Sequence, residues 1–217
     1  LVARFDAVTL VAPSQVPWFH SLLPPERVRL ILHGVDCDFF QPSPSARAHA
    51  VFRCITVGHW LRDFAALKQV AEHFSATKFV EFDVVTSRET GLEGLPNVTF
   101  HRSVDDSRLR RLYQQADALL LPLTGSTANN ALLEGIASGL PVISTRLAAV
   151  EAYLPGEEAL LVPSNDRDAL AGAVQSLLED PALRIRMGTS ARQRAEALDW
   201  AIIARDYEAL YSELLRQ

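Results

Sequence analysis

Ala118–Thr145 reads ALLLPLTGSTANNALLEGIASGLPVIST, and its punctuation decides the fold. An unbroken apolar run, Leu119 to Leu121, is closed by Pro122, and a small-residue loop, Thr124-Gly125-Ser126-Thr127, follows. Ala131, Leu132, Leu133, Ile136 and Ala137 then recur at helical spacing until Gly139 and Pro141 stop them, and Val142-Ile143 restarts an apolar run. Strand, tight loop, helix, strand is one βαβ unit of a parallel sheet. In such sheets ligands bind where a strand's carboxyl end meets a helix start, because free backbone N–H groups and the helix dipole converge on an anion there.

Glu134 is the polar interruption of this helix, placed by the loop's length about two turns in. A carboxylate among Leu132, Leu133 and Ile136 needs a partner, since an unpaired buried charge is costly. Two readings are open: a solvated or salt-bridged Glu at the edge of an amphipathic face, or a carboxylate at the mouth of a phosphate site, accepting from ligand hydroxyls such as a ribose diol.

Outward from this unit the same pattern repeats. Phe5–Ala12 and Val28–Leu32 read as strands, with a helix over about 15–23 between them. His33-Gly34-Val35-Asp36 and the prolines Pro42 and Pro44, with the serines beyond, read as a turn-rich linker or an ordinary surface loop. Arg53–Val57, a loop at Gly58-His59-Trp60-Leu61-Arg62-Asp63 and a helix over Phe64–Phe74 form a second phosphate-compatible unit. Strands are expected at Phe79–Val85, Asn97–His101 and Ala159–Val162, the last closed by Pro163-Ser164-Asn165-Asp166. Helices are expected at Ser107–Gln115, with Ser107 as cap, at Ala148–Tyr153, and over Ala169–Glu179, Leu183–Leu198 and Trp200–Leu215. Arg108, Arg110 and Arg111 read as a solvated face. Strands alternating with helices from 51 to 163, then helices alone, give a doubly wound α/β domain with a helical carboxyl-terminal tail.

Composition narrows the function. The 217 residues are 48% hydrophobic, enough for a sizeable core, and the net charge of −5 gives nucleic-acid binding no support. Cys37 and Cys54 form no CxxC pair, so reduced thiols are expected. No apolar run approaches the ~18 residues of a spanning helix. No dinucleotide-binding G-x-G-x-x-G follows a strand, and neither a Walker loop nor a metal-ligand cluster is visible.

LLEGIASGLPVIS resembles the donor-site signature of retaining glycosyltransferases with the GT-B architecture, the large group classified as family 4. The likeness extends from about Phe5 to Leu215, and the linker matches that group's Asn-Gly-Val-Asp element, with His33 for Asn. It implies a Rossmann-like donor-binding half. Residues 1–42 would be the tail of an amino-terminal domain and linker, 43–198 the nucleotide-sugar domain, and 199–217 a crossing helix. Glu134 takes the place of the family's second Glu, which binds the nucleotide ribose; the first, separated from it by seven intervening residues, falls on Ser126. The family's diphosphate-binding Arg and Lys fall on His59 and Phe64, leaving Arg62 as the fixed cation of that loop.

The resemblance thus implies transfer of a sugar from a nucleotide-sugar donor, with retention, to an acceptor read by the absent amino-terminal domain. Ser126 and Arg62 would be catalytic. Gly58, His59, Arg62, Gly125, Ser126, Thr127, Asn129, Asn130 and Glu134 would bind the donor, with Ser103 and Val104 near the base. Asn129 and Asn130 also suit a helix cap. No cofactor or metal is implied, the nucleotide-diphosphate sugar being a substrate. The implied location is cytoplasmic or peripheral at the inner membrane face. A non-catalytic binding or scaffold protein on the same fold, and a nucleotide-using enzyme of another class such as an epimerase, are the alternatives.

Overall fold

The structure, a computed structural model, describes residues 2–44, 51–163 and 166–216. Six strands form one parallel sheet: β3 (Phe52–Val57), β4 (Val80–Val85), β5 (Val98–His101), β6 (Ala118–Leu121), β7 (Val142–Thr145) and β8 (Ala159–Val162). Their order is β5-β4-β3-β6-β7-β8, so the chain winds outward from β3 to one edge, returns, and winds from β6 to the other. Ahead of this sheet, β1 (Val8–Leu10) and β2 (Val28–Leu30) form a two-stranded parallel sheet of their own, joined through the short helix α1 (Val16–His20).

Strand alternation divides the core into two layers. Leu119 and Leu121 of β6 and Ile55 and Val57 of β3 point into one layer; Ala118, Leu120, Phe52 and Cys54 point into the other. Burial on both faces explains why β6 reads as a continuous apolar run. The first layer is covered by α3 (Asp106–Gln115), α4 (Asn130–Ala137), α5 (Ala148–Tyr153) and α8 (Trp200–Leu214). The second is covered by α2 (Phe64–Phe74) and α6 (Arg167–Glu179), with α7 (Pro181–Glu196) contributing to both. Helix α4 lies close on its strand: a Cβ at Gly135 would sit 2.5 Å from Leu119 Cδ2.

Local chemistry sets the boundaries. Asp63, Asp166 and Asp180 accept from backbone N–H groups and start α2, α6 and α7. Pro181 both ends α6 and occupies the first turn of α7, which therefore begins two residues before the expected Leu183. The cap of α3 is Asp105, whose carboxylate accepts from Arg108 N, and not Ser107. The first strand is limited to Val8–Leu10, and the helix expected over 15–23 is a 3₁₀ turn at Pro13–Gln15 followed by α1. Arg110 departs from its expected solvated face: its guanidinium lies over the Phe39 ring, 4.9 Å from the centroid. Ser164 and Asn165, and the serine that follows Pro44, lie outside the described residues.

The linker is pinned to the sheet domain. Arg192 Nη1 donates to the carbonyls of Cys37, Phe40 and Ala137, joining the linker, α4 and α7. Val35 exchanges backbone hydrogen bonds with Leu198 and Trp200. The Tyr153 hydroxyl donates to Val11 O and accepts from His33 N, tying α5 to the amino-terminal piece. Helix α8 reaches the same piece through an Arg29–Glu213 ion pair at 2.9 Å. Its Ile203 and Leu210 are buried and Tyr207 and Leu214 pack on the core, but Tyr211, expected on that face, is exposed. Cys37 and Cys54 are free and buried.

Candidate active site

Strand order reverses between β3 and β6, and the helices that follow them lie on opposite sheet faces, which opens a crevice at the strands' carboxyl ends. The two loops that leave these strands form its walls. They are stitched together by Asp63 N to Pro122 O at 2.9 Å and Thr124 N to Leu61 O at 3.0 Å. The resulting cleft, about 440 Å³, is lined by Gly58–Arg62 from one loop, Gly125–Ala131 from the other, and by Glu134 and Leu109.

Arg62 is held on three sides. Its Nε donates to Val57 O at 2.9 Å, Nη1 to Trp60 O at 3.0 Å and Nη2 to Asn129 Oδ1 at 3.1 Å. Two backbone conformations make this possible. Gly58 has φ +89°, and a Cβ there would lie 3.2 Å from Arg62 Nη2; Leu61, at φ +56°, accepts a left-handed turn without being glycine. Among the described residues Arg62 pairs with no carboxylate, and burial lowers its pKa from the ordinary arginine value. A guanidinium fixed by carbonyls in a cleft has the charge and donor geometry to receive an anion.

Helix α4 begins at Asn130, later than the loop suggested, so Glu134 lies about one turn in rather than two. Asn129 is the cap: its Oδ1 accepts from Leu132 N at 3.3 Å while also accepting from Arg62. The helix's free N–H groups are thus those of Asn130 and Ala131, with the N–H groups of Gly125–Ala128 in the loop ahead of them rather than at the helix start. Ser126 donates to the neighbouring Thr127 carbonyl at 3.1 Å, and Asn130 stands exposed at the first helical position.

Glu134 is half-buried against a partner the sequence did not disclose. The hydroxyl of Tyr113, a fully buried residue of α3, donates to Glu134 Oε2 at 2.9 Å. Burial raises the Glu134 pKa, the Tyr113 hydrogen bond opposes the rise, and Asp106 adds to it. Two buried polar groups each needing a partner were the available signal for this pair.

The remaining expected residues divide clearly. Gly58, His59, Arg62, Gly125, Ser126, Thr127, Asn129, Asn130 and Glu134 all line the cleft; Ser103 and Val104 do not. Ser103 is exposed in a left-handed turn at φ +53°, Val104 packs on the core, and Leu109 is the residue from this region that reaches the cleft. His59 and Trp60 are exposed at the cleft's rim, Trp60 by 75%. Phe64 packs partly into the second core layer.

The chain resembles known proteins in sequence and in fold. The chain is 30% identical to a D-inositol 3-phosphate glycosyltransferase of Corynebacterium diphtheriae, over 87% of its own length and 51% of the relative's. It is 34% identical to the Corynebacterium glutamicum protein of the same name over 50% of its length and 26% of that protein's. It thus spans from about a quarter to half of these curated relatives. Among solved structures, sucrose-phosphate synthase from Thermosynechococcus elongatus superposes over 97% of this chain and 59% of that one, with a TM-score of 0.82 at 24% identity. No described helix is long and apolar enough to cross a membrane. Residues 49–180, which carry both cleft loops and all six strands, match one family model, and the chain belongs to that family, the glycosyl transferases group 1.

Proposed function

We propose that the chain is the nucleotide-sugar-binding half of a retaining glycosyltransferase. The observation that carries this reading is Arg62, held at the cleft by Val57, Trp60 and Asn129 and paired with no carboxylate among the described residues. In the proposed complex Arg62 and the free N–H groups of Asn130 and Ala131 receive the diphosphate. Glu134 accepts from the ribose diol, and Ser126 and Asn130 face the donor sugar. Asn129, whose carbonyl oxygen is engaged by the helix cap and Arg62, positions rather than contacts.

The chemistry follows from charge. As the glycosidic bond breaks, negative charge grows on the leaving diphosphate, and donors already fixed in place stabilise it without reorganising. Arg62 supplies the fixed cation of this loop; His59 is exposed at the cleft's rim, and Phe64 packs partly on the core. The names of the curated relatives support sugar transfer, and a structural neighbour solved in complex with UDP and glucose supports the donor class. The acceptor would be read by chain outside this half.

Titration calorimetry of the protein and its Glu134→Ala variant with UDP, GDP and their sugar conjugates tests the reading. Binding of one nucleotide, lost in the variant, is the expected result and names the base. Equal binding by both proteins contradicts the role of Glu134. A donor-binding protein without transfer activity in any acceptor screen would favour the scaffold alternative.

A further inference from the structure

The Tyr113–Glu134 contact has a consequence for binding. Tyr113 is fully buried, its ring is met edge-on by Phe40 of the linker at 5.9 Å between centroids, and its hydroxyl has Glu134 Oε2 at 2.9 Å as its near acceptor. The carboxylate lines the cleft, and among the described residues its side-chain partner is on Oε2 and not Oε1. A carboxylate on a flexible stem loses side-chain entropy when a ligand fixes it; one already fixed loses less.

We propose that Tyr113 is the positioning residue of this site. Its hydroxyl locks Glu134 through Oε2 and presents Oε1 to a vicinal diol of the ligand. The inference rests on the reading of Glu134 as the ribose acceptor. The ionised carboxylate is the stronger acceptor for a diol's hydroxyls, so affinity should fall as pH drops through the Glu134 pKa, and removing the Tyr113 donor should move that fall to higher pH. Other groups face the carboxylate and must be separated from it. Asp106 lies on α3 with Tyr113; His33 and Asp36 of the linker share with Glu134 an adjoining cavity of about 150 Å³; Arg62 and His59 line the main cleft.

The test uses UDP-glucose, GDP-mannose and ADP-glucose as probes, because their esterified diphosphates do not themselves titrate near neutrality. Binding is measured from pH 4.5 to 8.5 for wild type, Tyr113→Phe and Glu134→Gln, and the Glu134 carboxyl carbon is followed by NMR in the unliganded protein. Tyr113→Phe should bind about three- to tenfold more weakly at pH 7, the cost of ordering one side chain on binding. Its Glu134 midpoint and the acid limb of binding should both move to higher pH. Placing 3-fluorotyrosine, a stronger donor of nearly the same shape, at position 113 should move both to lower pH, and decides the question should the Phe variant not fold. His33→Gln and His59→Gln should leave the acid limb in place. An unchanged Glu134 midpoint and unchanged affinity in Tyr113→Phe, with Glu134→Gln impaired, overturns the role of Tyr113 alone. Full binding by Glu134→Gln, or no binding of any probe by wild type, overturns the donor-site reading and this role with it.

Discussion

Arg62 and Asn129 share one oxygen: Asn129 Oδ1 accepts from Arg62 Nη2 at 3.1 Å and from Leu132 N at 3.3 Å, so the atom that starts α4 also holds the cleft's cation. Fold and site are coupled at that atom. Asn129→Ala should cost about 1 kcal/mol of capping, a drop of roughly 2–4 °C in Tm for a chain of this size, and weaken UDP binding. Asn129→Asp should keep the cap and the Tm but weaken UDP, because its carboxylate neutralises Arg62. Paired calorimetry and thermal melts check this. UDP binding undiminished in Asn129→Asp would show that Arg62 is not the anion receptor.

Gly58 is required twice, for its left-handed backbone and for the space Arg62 fills. Gly58→Ala should therefore cost about 1–2 kcal/mol in backbone strain alone and displace the guanidinium as well. Thermal melts of Gly58→Ala alone and on an Arg62→Ala background measure the two parts. A smaller loss on the second background is expected; equal losses would mean the Cβ and guanidinium do not compete.

Burial of Glu134 makes the site a stability cost. Its folded-state pKa is raised above the unfolded value by desolvation, so its contribution is fully present below the unfolded pKa and lost as pH rises through the folded one. Glu134→Gln keeps an acceptor for the Tyr113 hydroxyl without the charge. Its Tm should exceed wild type at pH 8 by more than at pH 4.5. A Tm difference independent of pH would place the carboxylate in a solvated setting.

Packing of α4 on β6 leaves no room for a side chain at Gly135, where a Cβ would meet Leu119 Cδ2 at 2.5 Å. Gly135→Ala gains helix propensity but overpacks the core, and a net loss of about 1–3 kcal/mol is expected. A denaturant midpoint equal to wild type would mean the helix can lift from the sheet freely.

The sheet was legible because its strands are buried on both faces and so read as apolar runs between Gly, Pro and Asp punctuation; the boundaries of α2, α5 and β8 follow their patterns to the residue. The expected amino-terminal strands are longer than the observed ones because Ala7, Ile31 and Leu32 pack on the core beyond the paired residues of β1 and β2. The cleft's membership was legible from two loops at neighbouring strand ends. Its wiring was not, since the Arg62–Asn129 and Tyr113–Glu134 contacts join residues 67 and 21 positions apart. Local pattern carries no record of such pairs. The start of α4 is illegible for a related reason: Asn129 and Asn130 both suit a cap, and only the three-dimensional course of the loop selects Asn129.

The most direct measurement of the central claim is calorimetric titration of wild type and Arg62→Met with UDP at two salt concentrations. The account predicts wild-type binding that weakens as salt rises, and a loss of at least tenfold in Arg62→Met with the salt dependence reduced. Equal affinity of the two proteins, with equal salt dependence, would contradict it.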